Sequence, residues 1–95
     1  MQEKIIPLSR EENEIMNLLQ VYPNPAADRI NVVYDLVGRS DIDIIDMTGR
    51  LVHRTQYDAS GFTNLSLDVS SLNPGVFFIR VSAEGESNVL RFIKE

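Results

Sequence analysis

The segment Val21-Tyr22-Pro23-Asn24-Pro25-Ala26 limits what this chain can fold into more than any other stretch. Each proline lacks an N–H, fixes φ, and biases the residue before it toward extended geometry. Two prolines flanking an asparagine therefore continue neither a helix nor a central strand. The apolar run Leu18-Leu19-Gln20-Val21-Tyr22 is stopped by a stiff extended elbow, and the sequence after it reads as β-rich as far as Glu95.

Ninety-five residues make room for one domain, and a chain of this size buries only about 60% of its unfolded surface. Hydrophobic residues are 43% and charged residues 24%, with five glycines and four prolines; this excludes a collagen-like chain and argues against disorder. The net charge of −5 comes without a Lys/Arg stripe, which speaks against nucleic acid and against an anionic membrane surface as partners. The absence of cysteine excludes a disulfide framework, thiolate catalysis and Cys-ligated zinc. The apolar runs are too short to span a bilayer as helices. Met1-Gln2-Glu3-Lys4 leads into no apolar core of a signal peptide, so an exported parent protein is expected to carry its signal upstream.

Residues 1–17 read as a linker or tail from a preceding domain, with Glu3, Glu11, Glu12 and Glu14 against Lys4 and Arg10. Ser9-Arg10-Glu11-Glu12 fits a capping box, and Ile15, Leu18 and Leu19 follow at helical spacing, although so short a helix is marginal alone. From Ile30 the period becomes two. Ile30, Val32, Tyr34 and Leu36 share a face; Gly38-Arg39-Ser40 reads as a turn; Ile42 and Ile44 point inward. Asp46-Met47-Thr48-Gly49 is a hairpin signal, since Gly49 takes positive φ without steric cost. Leu51–Thr55 returns, and Gln56–Asn64 reads as a polar loop. Leu65, Leu67 and Val69 alternate again. Asn73-Pro74-Gly75 turns the chain, with Leu72 expected to plug the core. Val76–Val81 and Asn88–Lys94 form the last two strands. Counting Leu18–Tyr22, about seven short strands with regular turn signals predict an all-β fold, an antiparallel Ig-like β-sandwich over residues 18–95. A small barrel is the alternative.

Catalytic and metal-binding patterns are weak. His53 is the one histidine and has no partner set for zinc or for a serine triad. The five glycines stand alone in separate turns, so no phosphate loop exists. Asp41, Asp43 and Asp46 could supply oxygen ligands to calcium. Asp41 and Asp43 share one strand face and Asp46 the other, so a charged outer face with a turn-initiating Asp46 is the simpler reading. No metal, cofactor or enzymatic activity is expected.

Read in order, these pieces resemble the type A C-terminal sorting domain of cargo exported by the type IX (Por) secretion system. The matching stretches are Tyr22–Ala26, Ile44–Val52, Leu67–Val81 and Leu90–Glu95. Arg91 stands where lysine is common, and Phe77 where tyrosine is common. The resemblance implies a non-catalytic secretion address. Its cargo, N-terminal in the parent chain, would enter the periplasm and be bound by outer-membrane translocon components. A sortase-like peptidase would then cut within residues 1–20 and leave the cargo at the cell surface or in the medium. It points to Pro23, Asn24, Pro25, Arg91, Ile93, Lys94 and Glu95 as recognised residues, with Leu90–Lys94 presenting an edge for strand addition. Asp46, Gly49, Asp68, Leu72, Gly75, Phe77 and Ile79 would be structural. Exposed edges leave room for a weak homodimer. The runner-up is an adhesive or carbohydrate-binding sandwich module, for which Tyr57 and Phe62 are the best stacking candidates. A third reading is a passive spacer between domains.

Overall fold

Alternation of inward and outward side chains runs from Ile30 to Ile44, and the chain follows it as a single strand. The structure, a computed structural model, describes residues 19–95; the expected linker and the Ser9–Glu12 capping box lie outside them. There are five strands: β1 (Gln20–Tyr22), β2 (Arg29–Asp46), β3 (Leu51–Asp68), β4 (Gly75–Ala83) and β5 (Glu86–Lys94). All pairings between them are antiparallel. β3 lies along the whole of β2, from Arg29↔Asp68 to Ile45↔Leu51, with a bulge near Ile44. The opposite edge of β2 is shared. β1 pairs with residues 31–33 and β4 with residues 41–46, and β5 pairs outside β4.

A straight strand of 18 residues would run close to 60 Å at about 3.3 Å per residue, but the longest axis of the molecule is 44 Å. The β2–β3 ribbon must fold over. Tyr34 and Ser40 locate the fold: they would stand about 20 Å apart on a straight strand, yet the Tyr34 hydroxyl and Ser40 Oγ are 2.9 Å apart. Ser40 Oγ also meets the Tyr57 carbonyl at 3.0 Å. Gly38 at φ +116° and Gly61 at φ +132° lie at this corner, one in each strand. The inner faces of the two halves then meet. Ile30, Val32 and Tyr34 come from one half, and Ile42, Ile44, Ile79, Val81 and Phe92 from the other, in a single buried core. Phe77 stacks on Phe92 with centroids 5.8 Å apart.

The seven short strands expected for an Ig-like sandwich are therefore five, joined in one coiled, hydrogen-bonded sheet. The turn expected at Gly38–Ser40 is a bend inside β2, and the loop expected at Gln56–Asn64 is the middle of β3. The reason lies in β3's position. It is an edge strand with a solvated outer face, and its inward residues there, Ala59 and Thr63, are small, so the apolar period fades without the strand breaking. Leu67, Phe77 and Ile79 are buried as expected, and Leu72 packs against the core from a half-buried position.

Replacing Phe92, fully buried, by alanine is expected to destabilise the domain by about 3–5 kcal/mol. Tyr34→Phe removes one hydrogen bond but leaves Ser40 its Tyr57 partner, and should cost only about 1 kcal/mol. Urea unfolding followed by circular dichroism measures both; equal losses would contradict this account of the core.

Candidate functional site

The elbow after β1 does not project into solvent as a bare spacer. Both of its X–Pro bonds are cis. Its polar groups reach across to the free side of β5. Asn24 Oδ1 accepts the Ile93 N–H at 2.9 Å, and Asn24 Nδ2 donates to the Arg91 carbonyl at 3.4 Å. Two residues on, the Ala26 N–H donates to the Ile93 carbonyl at 2.7 Å and the Glu95 N–H donates to the Ala26 carbonyl at 2.8 Å, a parallel bridge. An asparagine side chain and one backbone unit thus stand in for a neighbouring strand. Ala26 itself is fully buried in the core where this bridge forms.

This contact brings the two halves of the expected recognition set together, since Pro23, Asn24 and Pro25 sit beside Arg91, Ile93 and Glu95. It also corrects two expectations. The edge of β5 read over Leu90–Lys94 as open for strand addition is occupied by the elbow, which bonds Arg91, Ile93 and Glu95. Lys94, read as a surface cation, is 8% exposed; it shares the inward face with Phe92, and its Nζ donates to the Glu95 carbonyl at 3.1 Å. Arg91, Ile93 and Glu95 lie on the outward face and are exposed.

Two carboxylate-capped turns flank the same pole. Asp46 Oδ1 accepts from the Thr48 hydroxyl at 2.6 Å, the Thr48 N–H at 2.9 Å and the Arg50 N–H at 3.0 Å, and Oδ2 pairs with Arg50 Nε at 3.1 Å. These bonds, that from the Thr48 hydroxyl foremost, hold its carboxyl at about 2 against an ordinary 3.8. Asp68 repeats the device with the Ser70 hydroxyl and N–H at 2.7 and 2.9 Å, which also lowers its pKa. The Val69 N–H donates to the Asp28 carbonyl at 2.7 Å, tying the second turn to the elbow. Gly75 pairs with Lys94, and Phe77 with Asp46, so all four motif stretches meet at one end of the molecule. Gly49, at φ +89°, makes the first turn feasible.

Asp43 was read as part of a solvated outer face, but its side chain is 1% exposed. Arg54 from β3 grips it with Nε and Nη2 at 2.7 and 3.0 Å, and Arg80 from β4 adds Nη2 at 2.8 Å. Arg54, first of the two, pulls the Asp43 pKa down against the opposing effect of burial. The register places Asp43 directly opposite both arginines; the alternation of Asp43 with Ile42 and Ile44 was legible, whereas its partners depended on a pairing the sequence did not disclose.

His53 is exposed, and its Nε2 lies 3.4 Å from Thr55 Oγ1. Among the described residues no three His, Asp or Glu side chains gather as a metal site. Tyr57 and Phe62 are exposed as expected, but they stand on β3 rather than in a loop.

Residues 20–95 match the model of the family described as the secretion system C-terminal sorting domain. Comparison with curated proteins finds no match. Nothing in these comparisons supports the carbohydrate-binding alternative.

Asn24→Ala removes two contacts to β5, and the domain should lose about 1 kcal/mol. Amide hydrogen exchange should quicken at Ile93 while β4 amides stay protected; unchanged exchange at Ile93 would refute the docking of the elbow. Asp46 is depressed in the folded state, so its stabilising effect is complete above about pH 4 and fades as pH falls toward about 2. Asp46→Asn should flatten that acid loss in urea melts taken at pH 7 and near pH 2.

Proposed function

The chain belongs to the type IX (Por) secretion C-terminal sorting domain family, and we propose that its recognised surface is the pole where the elbow meets the last strand. Membership makes it a sorting signal carried by a cargo protein, which engages the type IX machinery and is destined for the cell surface or the medium. The family is one of sorting domains, not of enzymes.

The finer reading is as follows. The cargo crosses the periplasm, and outer-membrane translocon components bind the folded domain. A sortase-like peptidase cuts ahead of the elbow, within residues 1–20. Recognition falls on Pro23, Asn24, Pro25, Arg91, Ile93 and Glu95, with Lys94 supporting them from the inward face. One observation carries this choice of surface: the four motif stretches converge there, although they are far apart in sequence. Chain direction agrees with it. β1 is antiparallel to β2, with Gln20 opposite Val33, so the backbone traced back through Leu19 heads for the folded corner at Gly38, away from this pole. Because the elbow fills the terminal β5 edge, side chains rather than main-chain pairing would be read there. Among the described residues, no further strand pairs along the outer edge of β3 or along the β5 edge ahead of Arg91, and either edge offers a route to a weak homodimer.

A reporter fused ahead of the 95-residue chain, expressed in a host with this secretion system, tests the reading. Arg91→Ala combined with Ile93→Ala should reduce export at least tenfold without lowering the Tm of the purified chain, since both side chains are exposed. Deletion of residues 1–8 should have no effect. Normal export of the folded double variant would show that the pole is not the recognised surface.

A further inference from the structure

The outer face of the β3–β2–β4–β5 layer carries two ordered rows of side chains that neither the core nor the elbow uses. Strand register aligns Leu51, Ile45, Phe78 and Arg91 across the four strands in one row. The next row is Arg54, Asp43, Arg80 and Val89. The apolar members are not covered: Leu51 is 46% and Val89 47% exposed, and Ile45 and Phe78 are half-buried. Ile93, 40% exposed, adjoins them. Contiguous apolar surface of this kind on a sheet's outer face marks an interaction site more often than a random exposure does.

Its charge is opposite to that of the surrounding protein. The two rows hold three arginines and one aspartate, whereas the rest of residues 19–95 carries four basic and nine acidic side chains. Arg91 makes no ion pair with another described residue. Asp43 holds the guanidinium groups of Arg54 and Arg80 on the outer face, and the two side chains remain 49% and 38% exposed. The entropic cost of ordering these long side chains is met in the fold, before any partner arrives.

We propose that this face docks an extended polypeptide segment in which carboxylates and apolar side chains take turns at every second residue, so that both lie on the side facing the sheet. On a strand only residues i and i+2 face the same way, and their spacing of about 6.6 Å matches that between the two rows. Planar guanidinium groups already oriented suit carboxylates. With Asp43 neutralising one arginine, the surplus charge matches one or two carboxylates and is too small for a polyphosphate or a dense anionic lipid surface. Like charge also disfavours the face meeting itself in a symmetric dimer. The proposal goes beyond the sorting reading: it adds a second contact area, continuous with the pole through Arg91 and Ile93, and gives its partner a chemistry.

The test is a titration of the isotope-labelled 95-residue chain, followed by amide chemical shifts, with a soluble peptide of repeating Glu-Ser-Val-Ser, which puts Glu and Val on one face when extended; the matching Lys-Ser-Val-Ser peptide is the control. Saturable shifts should appear at Phe78, Arg80 and Val89 with the acidic peptide alone, and weaken in 0.5 M salt as expected of about three screened charges. Val89→Glu, which removes no core contact, should weaken binding at least tenfold, and Arg29→Glu, on the other half of the ribbon, should not. The proposal fails if both peptides act alike, if neither shifts these amides at millimolar concentration, or if the shifts instead reflect self-association seen by sedimentation. The titration needs no secretion host, so its failure is read separately from that of the export experiment.

Discussion

A ribbon of two 18-residue strands is too long to stay flat in a domain this small, and its folding-over at one corner sets the rest of the architecture. Left straight, its inner face would expose Ile30, Val32, Ile42 and Ile44 to water. Folded, the two halves cover each other, and β4 and β5 complete the second wall. The corner needs two things: backbone freedom in both strands at once, which Gly38 and Gly61 provide, and a polar group buried at the bend that is satisfied. Tyr34, Ser40 and the Tyr57 carbonyl answer the second need among themselves. Burial raises the Tyr34 pKa, so the phenol stays neutral and able to serve as donor throughout the physiological range.

Folding the ribbon has a consequence at its far end. It carries the start of β2 back to the end of β5, which would otherwise be a sheet edge with unpaired groups and a route to aggregation. The elbow closes part of that edge with few atoms. A regular strand could not do so there, because the chain must also turn to enter β2 at Arg29. The prolines supply no donors of their own, and Asn24 supplies both a donor and an acceptor from a side chain. The same segment that ends β1 therefore also protects β5, which explains why a proline-rich stretch and the final residues of the chain belong to one local structure.

Inward faces and the Asp46-led turn were legible because each depends on neighbours in sequence: Ile42 and Ile44 alternate, and Asp46 caps a group two residues on. Three features were not. The continuity of β2 through Gly38 was hidden, since a glycine flanked by polar residues looks the same in a turn and at a sheet corner. The middle of β3 was hidden because an edge strand tolerates polar residues on one face and small ones on the other. The burial of Asp43 was hidden because its partners Arg54 and Arg80 lie 11 and 37 residues away, and that of Lys94 because the residues beside it in register, Gly75 and Ala26, are also distant in sequence; there only register decides who meets whom. Family resemblance supplied the order of the motifs, but not their convergence in space.

The Arg54–Asp43–Arg80 group shows why that convergence matters energetically. A buried ion pair is weak evidence for stability, because desolvation offsets most of the attraction, and a valine at residue 43 would fill the row with less electrostatic penalty. What the aspartate adds is order. It fixes two guanidinium groups from different strands on one line and ties β3 to β4 across β2, the strand with which both pair. A slip of one residue in either pairing would send Asp43 and its arginines to opposite faces. The triad thus specifies register in the half of the ribbon where β3 and β4 must align, and with it the arrangement of the outer rows beside the pole.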